Sequence, residues 1–205
     1  TAKANFQFVL DSLASKDTLN QTPLDLKINS IIIRNGKVYY SILNTPHTPK
    51  RFNTNHIDIS NLSGHIILNT LTNDSINLNI KRLALKEKNG IDLKNIQLSL
   101  DAGKQSAKLK KLQVQLLNST LQSDSIIAFY RIKNKTLELP SITFNGKFNK
   151  IDINPYDLST FENTLNKINH HYIGAFSFEG TSTSLNIQDF TLHSSDGGLK
   201  LKAGI

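Results

Sequence analysis

The sequence predicts a mainly β protein whose strands form a curved antiparallel sheet with one apolar side. Two observations lead to this fold class: an apolar pattern that recurs along the chain, and glycine-containing turn signals between its copies. Of the 205 residues, 38% are hydrophobic and 20% are charged, a balance typical of a chain that folds. A plain β-sandwich, in which two such sheets close on each other, is the alternative fold.

The recurring unit has eight positions: apolar, any, apolar, two mostly polar, apolar, any, apolar. Clear copies begin at Leu26, Leu78, Ile91, Leu137 and Leu185, and weaker ones at Ile57 and Ala107. On a helix, at ~100° per residue, the four apolar positions share no face. On a strand the two apolar pairs lie on opposite faces unless a β-bulge absorbs one polar residue. Bulges repeated strand after strand would curve the sheet.

Turn signals between the copies predict that the strands follow one another as an antiparallel meander. The signals are Asn35-Gly36, Asn89-Gly90, Ala102-Gly103, Asn145-Gly146 and Asp196-Gly197-Gly198.

Two segments depart from the strand pattern. Asn154 is a good helix cap before Pro155, and apolar residues follow at helical spacing, which predicts one amphipathic helix near 155–169. Phe6, Val9 and Leu13 have the same spacing and predict a short N-terminal helix near 4–15.

The residues that usually carry catalysis are sparse. Cysteine, methionine and tryptophan are absent, which removes thiolate chemistry. The adjacent His170 and His171 would point apart on a strand and could not chelate one ion. No nucleophile elbow, phosphate-binding glycine loop or metal motif occurs. We therefore expect no enzyme, cofactor, metal or catalytic residue; buried polar groups converging near His56, Asp58 and His65 would favour a hydrolase instead.

The net charge of +8 is concentrated in a few basic clusters. They are Lys81-Arg82, Lys86/Lys88, Lys104/Lys108/Lys110/Lys111 and Arg131/Lys133/Lys135. The first three clusters contain no aromatic residue on which a base could stack, so nucleic-acid binding is not predicted. Lysines that protect strand edges from association explain such clusters, and an anionic surface as partner remains an alternative.

Several stretches resemble the AsmA-like and TamB family, most closely its large Bacteroidetes members. They are INSIIIRNGKVYY at 28–40, RFNTNHIDISNLSG at 51–64, LKEKNGIDLKNIQLSL at 85–100, LLNSTLQSD at 116–124, INPYDLSTF at 153–161 and LNIQDFTLHSSDGGLKLKAG at 185–204. The resemblance covers nearly the whole chain. Together with a first residue that is not methionine, it predicts that residues 1–205 are one β-groove segment of a longer protein.

The resemblance implies an inner-membrane anchor followed by a periplasmic β structure shaped like a taco or half-pipe, with an aliphatic concave side. It implies phospholipid movement between inner and outer membranes, or support of outer-membrane biogenesis, without bond chemistry. The lipid-groove candidates are the aliphatic residues of the longest strands, namely Leu78, Ile80, Leu83, Leu85, Ile96, Leu98, Leu100, Leu112, Val114 and Leu116. A scaffold that binds an outer-membrane assembly protein by strand addition is the alternative function.

Overall fold

The computed structural model describes residues 25–133 and 136–203 as one open antiparallel sheet of ten strands with a small hairpin beside it. The sheet strands are β1 (Asp25–Ser41), β2 (His56–Thr72), β3 (Ile76–Glu87), β4 (Asp92–Ala102), β5 (Ser106–Gln115), β6 (Thr120–Phe129), β9 (Thr143–Ile153), β10 (Tyr172–Thr181), β11 (Leu185–Ser194) and β12 (Lys200–Ala203). Strands β7 (Ile132–Lys133) and β8 (Thr136–Leu137) form the hairpin. The prediction of a mainly β, antiparallel fold is confirmed.

In the copies that lie within a strand, β-bulges absorb the two polar residues of the recurring unit. The copy predicted to begin at Leu137 is wrong as a strand, because the 3-10 helix Leu139–Ser141 lies between β8 and β9. On the β3–β4 pair Ile80 lies opposite Leu98 and Leu83 lies opposite Ile96. Three steps along β3 therefore match two along β4, and β3 contains one extra residue at this point. Because Leu98 and Ile96 alternate regularly, their partners Ile80 and Leu83 share one face of the sheet. The bulge predicted from the spacing is therefore present.

Several bulged strands carry a residue with left-handed backbone. Asn35 in β1, Asn61 in β2, Lys111 in β5 and Asp189 in β11 have φ values of 51°, 54°, 53° and 48°. Asparagine and aspartate tolerate this conformation better than other residues with a side chain. Three of these four residues therefore suit the left-handed backbone, whereas Lys111 is not a residue type that favours it.

Three of the five predicted turns are confirmed, and two are wrong. Asn89-Gly90, Ala102-Gly103 and Asp196-Gly197-Gly198 join consecutive strands. Asn35-Gly36 lies inside β1, where Asn35 belongs to a bulge instead of a turn. Asn145-Gly146 lies inside β9, and a Cβ atom at Gly146 would lie 2.8 Å from Cζ of Phe178. That glycine makes room for an aromatic ring.

The predicted helix near 155–169 is wrong as a continuous helix. Two short 3-10 helices, Pro155–Leu158 and Asn163–Lys167, take its place. An α-helix needs the Thr160 carbonyl to accept the amide of Thr164. The Thr160 carbonyl accepts the Phe52 amide instead, and the Thr164 amide donates to the Glu162 carboxylate. The helix predicted near 4–15 lies outside the described residues.

Within residues 25–133 and 136–203 the sheet is a single layer. Each long strand makes its main contacts with its neighbours in the sheet. Apart from Pro155, only two apolar side chains in this part of the chain are buried, Leu93 and Ile151, which are 8% and 7% exposed. Apart from the β7–β8 hairpin, these residues form no second sheet that could close on the first as in the β-sandwich alternative.

Candidate functional site

The most extensive feature of the sheet is a row of apolar residues that crosses all ten strands. Residues that pair directly across neighbouring strands share a face, so the row follows from the register alone. Its members are Ile33, Gly64, Leu83, Ile96, Val114, Leu121, Ile151, Gly174, Leu192 and Leu201. No polar side chain interrupts it, and we call the side of the sheet to which it belongs the apolar face.

Two further rows extend the apolar face along the strands. One runs from Ile28 on β1 to Ile187 on β11, and the other from Leu26 to Leu185; every register partner between them is apolar or glycine. Ten strands at ~4.8 Å spacing make the face about 43 Å wide. From Leu93 to Ala102 on β4 it extends for about 30 Å.

The opposite side of the sheet is polar. One of its register rows consists of Thr70, Asn77, Asp101, Lys108, Ile127, Asn145, Glu179 and Asn186. Only Ile127 in this row is apolar. The two sides, which we call the apolar face and the polar face, therefore differ sharply in chemistry.

Nine of the ten lipid-groove candidates lie on β3, β4 and β5. The register pairs Leu78 with Leu100, Ile80 with Leu98, and Leu83 with Ile96; Leu85, Leu112 and Val114 belong to the same face. Leu116 follows the end of β5 and lines a cleft of about 410 Å³. All ten side chains are intermediate in exposure, so each keeps apolar surface open to a ligand.

The apolar face also contains a cluster of phenylalanines that the sequence analysis missed. Phe144 and Phe148 on β9, Phe176 and Phe178 on β10, and Phe190 on β11 have ring centroids 5.3–6.4 Å apart. The only signal in the sequence is the Phe-x-Phe spacing at 176 and 178. The register between distant segments brings the other rings together, so the β9–β11 part of the face carries aromatic rings beside aliphatic residues such as Ile151 and Leu192.

A cleft of about 1200 Å³ lies where the apolar face reaches one set of strand ends. Its lining includes Leu71, Ile76 and Ala102 from the row that begins at Leu26. Lys104 and Arg131 also line it, and they pair with Asp74 at 3.0 Å and with Glu138 at 3.5 Å. The apolar face is thus open at this end and bordered by charged groups.

The opposite strand ends are tied together by polar contacts of the 154–171 segment. The Asp157 carboxylate accepts the amide of Asn118 at 2.8 Å, and Thr160 Oγ1 donates to the carbonyl of Asn89 at 2.9 Å. In the turn between β11 and β12, hydrogen bonds from Ser194 Oγ and the Gly198 amide hold the pKa of Asp196 below its usual value. These contacts fix the turns that flank the apolar face.

Of the three polar residues considered for catalysis, His56 and Asp58 lie near each other and His65 lies far from His56. His56 and His65 are nine residues apart on β2, which places them about 30 Å apart. His56 is buried and bonds to Ser41 Oγ at 2.8 Å, and Asp58 lies 3.8 Å from the Lys88 ammonium. His56 and Asp58 line one cleft of about 530 Å³ with His47 and Lys88, and His65 is not part of that lining. The three groups therefore do not form one site together.

The adjacent histidines bind different carboxylates. His171 Nδ1 lies 2.6 Å from Asp152 Oδ1, and His170 Nδ1 lies 3.4 Å from Asp196 Oδ2. Across residues 25–133 and 136–203 no group of three or more histidine, aspartate or glutamate side chains is arranged to hold a metal ion.

Comparisons of the chain with protein-family models, curated proteins and solved structures find no significant match. None of the helices in the described part of the chain has the length and apolar character needed to cross a membrane.

Proposed function

We propose that this chain is a non-enzymatic segment of a cell-envelope protein whose apolar face contacts the acyl chains of phospholipids. In this proposal the segment lies in the periplasm, belongs to a protein anchored in the inner membrane, and helps to move phospholipid between the two membranes or supports outer-membrane biogenesis. The observation that carries the proposal is the apolar row that crosses all ten strands without a polar side chain.

The dimensions of the apolar face support this ligand. One leaflet takes half of the ~30 Å hydrocarbon core, so an extended acyl chain needs about 15 Å. The face is about 30 Å long on β4 and about 43 Å wide, so several chains fit side by side. Because Leu83, Ile96 and Leu98 are only partly buried, an acyl chain that covers them gains about 25 cal/mol for each Å² of apolar surface removed from water.

The bulges support an open groove with the apolar face inside. A bulge bends its strand and increases the local twist. Bulges occur in β1, β3, β4, β5 and β11 at the polar pairs of the recurring unit. Because bulges recur across the sheet, they favour a half-pipe. Its inside would shield acyl chains and leave the head groups at its open side.

The alternative is a scaffold that binds an outer-membrane assembly protein by strand addition, and the length of β1 favours it. This edge strand has 17 residues, and within the described part of the chain its one neighbour is β2. An edge of this length offers many backbone hydrogen bonds to an added strand.

Native mass spectrometry with lipid extraction tests the proposal on protein purified from a bacterial periplasm without detergent. We expect adducts with phospholipid masses and the same phospholipids in the extract, because the exposed apolar face would take up lipid from its surroundings. A lipid-free protein that also takes up no phospholipid from added vesicles would overturn the proposal, and the strand-addition scaffold would then be tested.

A further inference from the structure

The strongest unexplained feature outside the apolar face is a group of four cations in the middle of the sheet. We call Lys81, Arg82, Lys110 and Lys111 the basic patch. The first two lie within β3 and the last two within β5. Both strands are interior members of the sheet, so edge protection does not account for these charges.

Bulges bring successive cations to the polar face. Lys81 and Arg82 together lie opposite the single residue Gln97. Lys110 pairs with Ser99, and Lys111 is the extra residue of the next bulge. All four cations are exposed, and none lies within ion-pair distance of a carboxylate of the described residues. Each remains available to an external anion.

The backbone at Lys111 indicates that its charge matters more than its conformational fit. Its φ is 53°, whereas asparagine or aspartate occupies the corresponding left-handed positions at Asn35, Asn61 and Asp189. A lysine in this conformation is strained. Strain of this kind at an exposed position is a reason to look for a function.

Two of the four cations, Lys81 and Lys111, border a shallow depression of about 320 Å³. Lys81 on β3 and Lys111 on β5 belong to its lining, and Gln97 on β4 lies between their strands. Asn79 and Gln113 add further amide groups, and Ile80, Leu98 and Leu112 also line it. Asp124 is also part of the lining and offsets one positive charge. Ammonium and amide groups of this kind donate hydrogen bonds to phosphate oxygens and to hydroxyl groups.

We propose that the basic patch docks this face on a bilayer surface that contains acidic phospholipids. Three of the four cations are lysines, whose ammonium groups are compact and strongly hydrated and do not bind an anion in the bidentate way of an arginine guanidinium. Such groups can interact with many lipid head-group phosphates without a fixed geometry. Clusters of four to eight basic residues are typical of binding to acidic lipid. This inference concerns the polar face and does not rest on the proposed function of the apolar face.

Sedimentation with vesicles tests the docking. We compare the wild-type protein with a patch variant carrying Lys81→Gln, Arg82→Gln, Lys110→Gln and Lys111→Asn. The control variant carries Lys27→Gln, Lys37→Gln, Lys200→Gln and Lys202→Gln on the edge strands, so both variants lose the same net charge. Asparagine suits the backbone at position 111, and the patch variant is expected to fold as stably as the wild type.

We expect the wild type to bind vesicles containing one-third phosphatidylglycerol, to bind pure phosphatidylcholine vesicles weakly, and to be released at high salt. The patch variant should bind the acidic vesicles at least about tenfold more weakly, and the control variant less than about threefold more weakly. Equal losses in both variants, or no preference for acidic vesicles, would overturn the inference. Tighter, patch-dependent binding to duplex DNA would overturn the choice of partner.

Discussion

Gly174→Ala is expected to lower the free energy of unfolding by roughly 3 kcal/mol, which would be the largest effect of a single methyl group in this sheet. A Cβ atom at this position would overlap the carbonyl oxygen of Thr191 on β11. That oxygen belongs to the backbone and cannot turn away as a side chain can. The added methyl would therefore separate β10 from β11 and open the long apolar row.

Urea unfolding measures the loss, and amide hydrogen exchange on β10 and β11 locates it. Gly103→Ala is the matched control, because nothing lies within 4 Å of a Cβ atom at that turn. We expect its stability to match the wild type or to rise slightly. If Gly174→Ala were as stable as this control, the β10–β11 packing described here would be wrong.

Leu98→Asp is expected to reduce phospholipid uptake by roughly a hundredfold. Leu98 lies in the middle strands of the apolar face, opposite Ile80. A carboxylate among acyl chains costs about 3 kcal/mol. Without lipid the side chain is only partly buried, so the aspartate stays hydrated and the sheet is expected to fold.

A fluorescent phospholipid titrated into the purified protein measures this loss. Gln115→Glu adds the same charge at an exposed position of β5 that lies on the polar face outside the basic patch and pairs with Asn95 and Thr120. We expect this control to take up lipid as the wild type does. Uptake that is unchanged in a folded Leu98→Asp protein would show that acyl chains do not contact the apolar face.

The spacing of apolar residues was enough to predict the bulged strands. The polar pair Lys81-Arg82 separates two apolar pairs that need one face, and a bulge is the local solution available to an antiparallel strand. The position of the lipid-groove candidates on one face follows from the same argument. Their role in binding lipid stays a prediction.

The wrong turns and the wrong helix have a common physical cause. Asn35-Gly36 suits a left-handed backbone, and both a turn and a bulge can use it. Asn154 and Pro155 suit the start of a helix, but the bond from the Phe52 amide to the Thr160 carbonyl ends it. In each case a partner distant in sequence decides between two locally acceptable structures.

The phenylalanine cluster and the basic patch could not be predicted from the sequence either, because residues distant in sequence form each of them. Phe148 and Phe176 are far apart in sequence and meet through the β9–β10 register. Lys81 and Lys111 reach one depression only because β4 lies between their strands. Composition reveals such residues, whereas sheet order determines which of them act together.

Cross-linking with a phospholipid that carries a photoreactive group at the end of an acyl chain tests the central claim most directly. After irradiation of the lipid-bound protein, peptide mass spectrometry identifies the modified residues. The proposal predicts adducts on apolar-face residues of β3 to β5, such as Ile96, Leu98 and Val114. Adducts confined to polar-face residues such as Gln97 and Ser99, or spread equally over both faces, would contradict it.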